Sequence, residues 1–258
     1  MIIQTIFTII LSIAIGLLMG IIGGGGGGIY VVILLVLLHQ NAKTAAMTAL
    51  FLSTITLSGA AVQYWRKKQV RIDYFIVLSV LDVVGTLIGN LILNHIDEMV
   101  LKVTIFSVLL LSGLSSFVKI KSTMNAQPNE VAEKLPITVP IGLISGLVTG
   151  TTGLSASTML SSLLIGFLGF SPYLAVGTTT LVSFVGNAIS IIVLVLSGFV
   201  LHTSVVYIDW KLILTLGLGS AVGAVLGAKL TTKINRKLLT FILAVMAIIP
   251  GIYLALSK

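Results

Sequence analysis

Residues 15–38 read IGLLMGIIGGGGGGIYVVILLVLL, and this stretch decides the fold of the chain. Six consecutive glycines, residues 23–28, separate a long apolar segment at residues 2–22 from a short one at residues 29–38. Each glycine disfavours a helix by about 1 kcal/mol relative to alanine, so the helix is expected to break here. In a bilayer, unwound backbone is tolerated only where it is buried in protein or lines a wet cavity. The stretch therefore predicts a membrane helix that is interrupted inside the protein.

The remainder of the chain is equally apolar. Of the 258 residues, 57% are hydrophobic and 9% are charged, whereas a soluble domain carries about 25% charged residues. At roughly 20 residues per crossing, seven or eight of the apolar segments are long enough to span a bilayer. This excludes a soluble globular protein and predicts an all-α, polytopic membrane helical bundle. The further apolar segments fall at about residues 45–64, 74–93, 99–118, 137–150, 156–169, 173–200, 208–229 and 238–256.

The net charge of +8 does not indicate nucleic-acid binding, because Lys and Arg lie in short loops where they set membrane orientation. The chain has no cysteine, which excludes thiolate metal sites. The three histidines lie at segment ends without matching carboxylates, so we predict neither a metal nor a cofactor. Residues 1–22 lack a basic start and a small-residue cleavage site, and we expect a mature segment.

A polar stretch at residues 119–136 divides the chain into two similar halves. We expect a first repeat at residues 1–118, a linker at 119–136 and a second repeat at 137–258. The offset between matching positions drifts from 126 to 138, which small insertions would explain. The matching pairs, in chain order, are Gly16 with Gly142, Gly20 with Gly146, Ala45 with Ala175, Thr48 with Thr178, Ser53 with Ser183, Asp73 with Asp209, Gly85 with Gly223, Gly89 with Gly227 and Gly113 with Gly251.

Equivalent loops of the two halves carry opposite charge. Residues 66–71 hold four basic residues, and the equivalent loop around residues 202–207 holds none. Residues 94–100 hold none, and their counterpart around residues 229–237 holds four. Inverted repeats place eleven of the fifteen Lys and Arg in the cytoplasm, whereas parallel halves place nine there. We therefore expect two inverted repeats of four to five segments each in the cell inner membrane, with a cytoplasmic linker.

The polar breaks, one in each half, form the candidate substrate site. A glycine loop that opens a helix offers free N–H groups to an anion. Two such loops, related by a two-fold axis in the membrane plane, would meet near the midplane, where transporters of this design hold substrate. Close helix packing is the alternative explanation of the glycines. The predicted substrate-binding residues here are Gly23, Gly24, Gly25, Gly26, Gly27, Gly28, Thr149, Thr151, Thr152, Gly153 and Ser155.

Small polar residues near the start of the helix after each break are further substrate-binding candidates. Their hydroxyl and amide groups lie roughly on one helix face and can donate hydrogen bonds to an oxyanion. The alternative is bonding to their own or neighbouring helices, worth about 0.6 kcal/mol each. These candidates are Thr48, Ser53, Thr178, Ser183 and Asn187.

Asp82 is the only carboxylate deep inside an apolar segment, and its counterpart at an offset of 138 is Ser220. Intramembrane acids are costly and usually functional. Asp82 is therefore a candidate for carrying a coupling proton, and a neutral residue bonded to a neighbouring helix is the alternative. Gly153-Leu154-Ser155 with the later His202 looks like a Ser–His pair, but His202 is predicted in an outer loop, so we predict no enzyme.

Taken together, these motifs resemble the sulfite exporter TauE/SafE family of membrane permeases over nearly the whole chain. The resemblance implies a secondary transporter that moves a small sulfur-containing anion (sulfite, thiosulfate or an organosulfonate) by alternating access. Its partners would be that anion and the lipid bilayer, and a homo-oligomer is compatible with the sequence. A non-transporting membrane scaffold or assembly protein and an intramembrane hydrolase are the alternatives. The resemblance rests on the helix that runs into residues 23–28, on Ala175-Val176-Gly177-Thr178-Thr179, on Ile208-Asp209-Trp210 and on Gly219, Gly223 and Gly227.

Overall fold

The computed structural model describes residues 2–122, 135–201 and 210–231, and these are helical apart from short connections. Every apolar segment predicted within these ranges forms a helix, so the all-α prediction is confirmed for this part of the chain. The predicted segment 238–256 and most of the linker lie outside the described residues. The elements are α1 (Ile2–Ile22), α2 (Gly27–Val32, continued by the π-helical stretch Ile33–Leu37), α3 (Ala42–Arg66), α4 (Ile72–His95), α5 (Glu98–Ser122), α6 (Leu135–Thr152), α7 (Ser157–Leu168), α8 (Pro172–Leu201) and α9 (Trp210–Leu230).

Four of the described helices are long and apolar enough to cross a membrane. They comprise all of α3 and the stretches Ile72–Leu93 of α4, Pro172–Leu196 of α8 and Leu212–Leu230 of α9. Shorter apolar helices are found in α1, α6 and α7. This arrangement is that of a multi-pass membrane protein in which α2 and α7 are short return segments.

Apolar side chains project outward from α4 and α9 at a spacing of four residues, which keeps them on one face of each helix. These faces have no protein neighbour among the described residues and suit lipid contact. Trp65 and Trp210 are exposed at helix ends, as expected for aromatic residues at the membrane surface. The outward residues are Ile76, Val80, Val84 and Ile88 on α4, and Leu214, Leu218, Val222 and Leu226 on α9.

Glycines bring α1 against α9. A Cβ atom at any of these glycines would overlap the facing backbone, so the packing of these two helices requires small residues. Residue numbers increase in the same direction on both sides of the contact, so α1 and α9 run parallel. The contacting pairs are Gly16 with Ser220, Gly20 with Ala224, Gly223 with Ile13, and Gly227 with Leu17.

The same type of contact joins α4 to α6, again with parallel helices. Glycines of α4 and α9 thus serve close helix packing in both pairs. The contacting pairs here are Gly146 with Asp82, Gly150 with Thr86, Gly85 with Leu143, and Gly89 with Leu147.

The long helices α3 and α8 pack on each other, and in addition α3 packs on α9 and α8 on α4. Lys67 Nζ donates to the carbonyls of Ala228 and Lys229 at 3.0 Å each, so α3 and α9 end on the same side. The backbone N–H of Arg71 donates to Thr178 Oγ1 at 3.0 Å, which places the start of α8 there too. Consequently α1, α3 and α9 run toward this basic side, and α4, α6 and α8 run away from it.

Candidate functional site

Both predicted helix breaks are present, and both are shorter than expected. The first covers residues 23–26, because Gly27 and Gly28 already belong to α2. Within it, Gly23, Gly25 and Gly26 have φ angles of +72°, +64° and +80°. Residues with a Cβ atom rarely adopt this left-handed conformation, which explains why the break consists of glycine.

The second break covers residues 153–156, and the threonines predicted to lie in it instead end α6. Thr151 and Thr152 donate their hydroxyls to carbonyls of the preceding turn at 2.7 and 2.6 Å. The N–H groups of Leu154 and Ala156 donate to the Thr152 and Thr149 hydroxyls at 3.2 and 3.3 Å. The expectation of Thr149, Thr151 and Thr152 as loop residues is therefore wrong: they lie in the last turn of α6, and the hydroxyls of Thr149 and Thr152 accept N–H groups of the break.

The two breaks meet inside the protein at Gly27, the residue with which α2 begins. A Cβ on Gly27 would lie 2.6 Å from the backbone nitrogen of Ser155 and 3.2 Å from the carbonyl oxygen of Gly153. Residues 23–27 and 152–157 are buried. Ser155, whose Oγ lies 3.2 Å from Ser157 Oγ, is thus part of the contact between the breaks.

The first break also touches both long helices. Thr180 Oγ1 on α8 lies 3.2 Å from the carbonyl oxygen of Gly23. Gly25 faces Leu57 of α3, which lies nine residues, or about 13 Å, before the helix end at Arg66. Gly24 faces Thr158 of α7. The break therefore lies well below the basic surface of the molecule.

Three of the predicted polar residues meet between α3 and α8. Asn187 Nδ2 donates to Ser53 Oγ at 3.1 Å. Ser53, Ser183 and Asn187 are all fully buried. Within the described part of the chain, Ser183 Oγ and Asn187 Oδ1 have no hydrogen-bond partner. Buried polar atoms are normally satisfied, so these two require a water molecule or a ligand.

Thr178, a predicted substrate ligand, contacts the connection between α3 and α4. Its hydroxyl accepts the Arg71 N–H and so ties the α3–α4 connection to α8. Arg71 in turn donates to both carboxylate oxygens of Asp73, at 3.0 and 2.6 Å, and this bonding raises the pKa of the guanidinium. Thr48 is buried, and its hydroxyl has no partner among the residues that the structure describes.

Asp82 is fully buried where α4 meets α6 and α8. Its Oδ1 is hydrogen-bonded to Ser145 Oγ at 2.5 Å, so the expected bond to a neighbouring helix is present. Its Oδ2 faces Gly186, where a Cβ would overlap it, and has no hydrogen-bond partner in the described ranges.

Several buried polar contacts were not predicted from the sequence. Tyr30 OH lies 2.9 Å from Thr56 Oγ1, which lies 2.8 Å from Ser220 Oγ. Asn90 Nδ2 donates to Ser190 Oγ at 2.9 Å, and Ser145 bonds Asp82. The only available signal was a polar residue within an apolar segment, which indicates burial but does not identify the partner.

Among the described residues, no group of three His, Cys, Asp or Glu side chains is placed to hold a metal ion. His202 lies outside the described residues, so the predicted Ser–His pair is not addressed by the geometry. The site therefore consists of neutral hydroxyl, amide and backbone groups beside two helix breaks, with one buried carboxyl nearby.

Comparison with known proteins gives one match at the level of families. No curated protein and no solved structure matches the chain. The family model of the sulfite exporter TauE/SafE matches residues 8–254, nearly the whole chain and both helix breaks. This protein therefore belongs to the sulfite exporter TauE/SafE family of membrane transporters.

Proposed function

We propose that the protein is a secondary transporter that moves a small sulfur-containing anion, such as sulfite, thiosulfate or an organosulfonate, across the cell inner membrane by alternating access. The observation that carries this proposal is the meeting of two helix breaks beside buried polar atoms that have no partner among the described residues. Irregular backbone at membrane depth is typical of transporter binding sites. A scaffold that only packs has no need for either feature.

The substrate ligands in this proposal are Ser53, Ser183 and Asn187, with the glycines of the first break lining the path. Ser53 lies one turn from Leu57, which touches Gly25, so the polar group and the break are adjacent on α3. No Lys or Arg of the described residues lies in these helices away from their ends. Neutral donors hold an anion more weakly than a cation does, and this suits a site that must also release it.

Thr178 is better explained as a structural anchor than as a ligand. Thr178 already accepts the Arg71 N–H and so holds a connection between helices. Thr48 occupies the equivalent position of the first half, but its buried hydroxyl has no partner among the described residues, so it remains a candidate ligand. The loss of Thr178 revises the predicted site toward the middle of α8.

We further propose that the chain is an inverted duplication, and the helix bounds support this. Four helix ends or starts in the first half have a counterpart in the second half at an offset of 130 or 138. Three of these pairs have an offset of 130: the ends of α1 and α6 (Ile22 and Thr152), the starts of α2 and α7 (Gly27 and Ser157), and the starts of α3 and α8 (Ala42 and Pro172). The fourth pair, the starts of α4 and α9 (Ile72 and Trp210), has an offset of 138.

Helix contacts support the same correspondence. The contact of Gly16 with Ser220 has its equivalent in Gly146 with Asp82, at offsets of 130 and 138. These contacts favour Gly146 as the counterpart of Gly16, one helical turn from the Gly142 expected from sequence. Since α1, α3 and α9 run opposite to their counterparts α6, α8 and α4, the halves are oriented as an inverted repeat requires, and rocking of one half against the other would alternate access.

Flux measurements in proteoliposomes test the proposed function. We expect saturable uptake of at least one of sulfite, thiosulfate and methanesulfonate, and a loss of at least tenfold in flux for Ser183→Ala and Asn187→Ala. Ser107→Ala, an exposed hydroxyl on α5, is the matched control and should transport normally. Absence of saturable flux for all three anions would remove the proposal and favour a scaffold. Normal flux in both site variants would place the substrate path elsewhere.

A further inference from the structure

We propose that Asp82 binds the proton that couples anion movement to the transmembrane proton gradient. This inference rests on the proposed transport function and names its coupling ion. It is argued from the position of the carboxyl group, its hydrogen bonds and a comparison with the equivalent position in the other half of the chain.

Asp82 lies at the interface between the two halves of the chain. Its helix α4 belongs to the first half, whereas α6 and α8, which it faces, belong to the second. Alternating access requires these halves to move against each other, so a group at this interface can sense or control the movement.

Among the described residues, the helices packed around Asp82 carry few titratable side chains. Helix α6 carries no titratable side chain, α8 carries only Tyr173 in its first turn, and on α4 the others are Asp73, Tyr74 and His95 near its ends. No cation on these helices is therefore placed to neutralise an ionised Asp82. A buried carboxyl without a cation is stable only in its protonated form.

The hydrogen bonds around Ser145 accommodate the same protonated form. Ser145 Oγ lies 2.5 Å from Asp82 Oδ1 and 3.0 Å from the carbonyl oxygen of Gly142. A hydroxyl has a single hydrogen and cannot donate to both acceptors. If Asp82 carries a proton, the carboxyl donates to Ser145 Oγ and Ser145 donates to Gly142, so both contacts become hydrogen bonds.

The equivalent position in the other half shows that the fold does not require an acid here. At the offsets of 130 and 138, Ser220 corresponds to Asp82 and Thr56 to Gly186. Ser220 and Thr56 bond each other at 2.8 Å, and Tyr30 OH bonds Thr56 at 2.9 Å. Neutral hydroxyls thus satisfy this helix contact, while Gly186 leaves room for a carboxyl on the other side. A carboxyl group is thus present in only one of these two equivalent helix contacts.

Polar atoms continue along α4 on both sides of Asp82. Ser79 and Thr86, three residues before and four residues after Asp82, have buried hydroxyls without a partner among the described residues. Asn90, one turn beyond Thr86, bonds Ser190 of α8. This stripe provides a route by which water reaches the carboxyl when α4 and α8 separate.

The proposed step is a reversible proton transfer between the Asp82 carboxyl and water. When the interface opens, water enters and accepts the proton, and the carboxylate that remains is stable only while it is hydrated. When the proton returns, the neutral carboxyl again packs against Gly186 and bonds Ser145. The interface therefore closes only when the carboxyl is neutral, and this requirement couples proton binding to the movement of the two halves.

Proteoliposomes with an internal pH-sensitive dye test the proposal on the wild-type protein. The probes are thiosulfate and methanesulfonate, which stay fully ionised near neutral pH, so that proton movement cannot arise from the anion itself. With the membrane potential clamped, a pH gradient of one unit should accumulate the anion about tenfold per coupled proton, and the dye should report proton entry. Flux of either anion without a pH effect or a dye signal would overturn the coupling and leave transport intact. Absence of flux would overturn the proposed function itself.

The variant Asp82→Asn, which cannot bind the proton, separates coupling from transport. We expect anion exchange at equal concentrations to continue, and accumulation driven by the pH gradient to fall to the level of empty liposomes. Asp73→Asn, an exposed carboxylate on the same helix, should accumulate like wild type. Accumulation by Asp82→Asn equal to wild type, or a sodium gradient replacing the pH gradient, would refute the proposal. If Asp82→Asn fails to insert, the wild-type dye measurement decides.

Discussion

Replacing Gly25 by alanine tests whether the first helix break adopts the described conformation. Gly25 has a φ of +64°, and a Cβ there would lie 2.9, 3.0 and 3.1 Å from three side-chain carbons of Leu57. The left-handed backbone costs an alanine about 1–2 kcal/mol. Carbon atoms pack at about 3.5–4.0 Å, so Leu57 must also move, and overpacking of this kind costs about 1–3 kcal/mol. We expect a total loss of stability of about 2–5 kcal/mol.

Thermal unfolding of the purified protein in detergent measures this loss. For a protein of this size, about 2–4 °C of melting temperature corresponds to 1 kcal/mol, so Gly25→Ala should melt at least about 4 °C below wild type. The matched control is Gly166→Ala in α7, where a Cβ would meet no atom within 4 Å. A helix interior gains stability on this exchange, by up to about 1 kcal/mol.

The double variant Gly25→Ala, Leu57→Ala separates the two contributions. Shortening Leu57 removes the overlap but leaves the backbone strain. The double variant should therefore lose about 1–3 kcal/mol less stability than the sum of the losses in the two single variants. Additive losses would show that Gly25 does not face Leu57. A Gly25→Ala protein that melts like wild type would refute the left-handed break altogether.

Two further predictions concern packing and orientation. Tyr64 OH donates to the carbonyl of Gly20 at 2.6 Å, so Tyr64→Phe should lower stability by about 1–3 kcal/mol in thermal unfolding. The control is Trp65→Phe at the exposed neighbouring position, which should change stability by no more than about 0.5 kcal/mol. Equal effects of the two substitutions would contradict the buried hydrogen bond of Tyr64. Single cysteines introduced at the exposed positions Arg66 and Asp97 should be labelled from the cytoplasmic and the external side of the membrane respectively, because α4 separates the two positions. The chain has no other cysteine that could react. Labelling of both positions from the same side would contradict a membrane-crossing α4.

The helices were predictable because their signals are local. An apolar run ends at glycine or at a charged loop, and the described helices begin and end within a few residues of the predicted segments. The second break was less predictable. Threonine has low helix propensity, yet Thr151 and Thr152 form the last residues of α6, and their hydroxyls bond the preceding carbonyls. Sequence alone could not distinguish this use of the hydroxyls from their use as ligands.

The predicted site was only partly brought together. Ser53 and Asn187 bond each other beside Ser183, as their placement on two central helices favours. Thr178 instead holds a loop, and the partner of Asp82 is Ser145, a residue without any distinguishing sequence motif. Partners of this type depend on the rotation and depth of one helix against another.

The amino-acid sequence by itself determined that this chain is an apolar helical protein, where its first helix breaks, and that its deepest acid is Asp82, because composition and glycine runs act within a few residues. The tertiary structure alone decided that α1 packs on α9 and α4 on α6, that the two breaks touch, and that Asp82 lies between Ser145 and Gly186. These contacts join residues far apart in the chain, and their register follows from which glycines allow two backbones to approach closely.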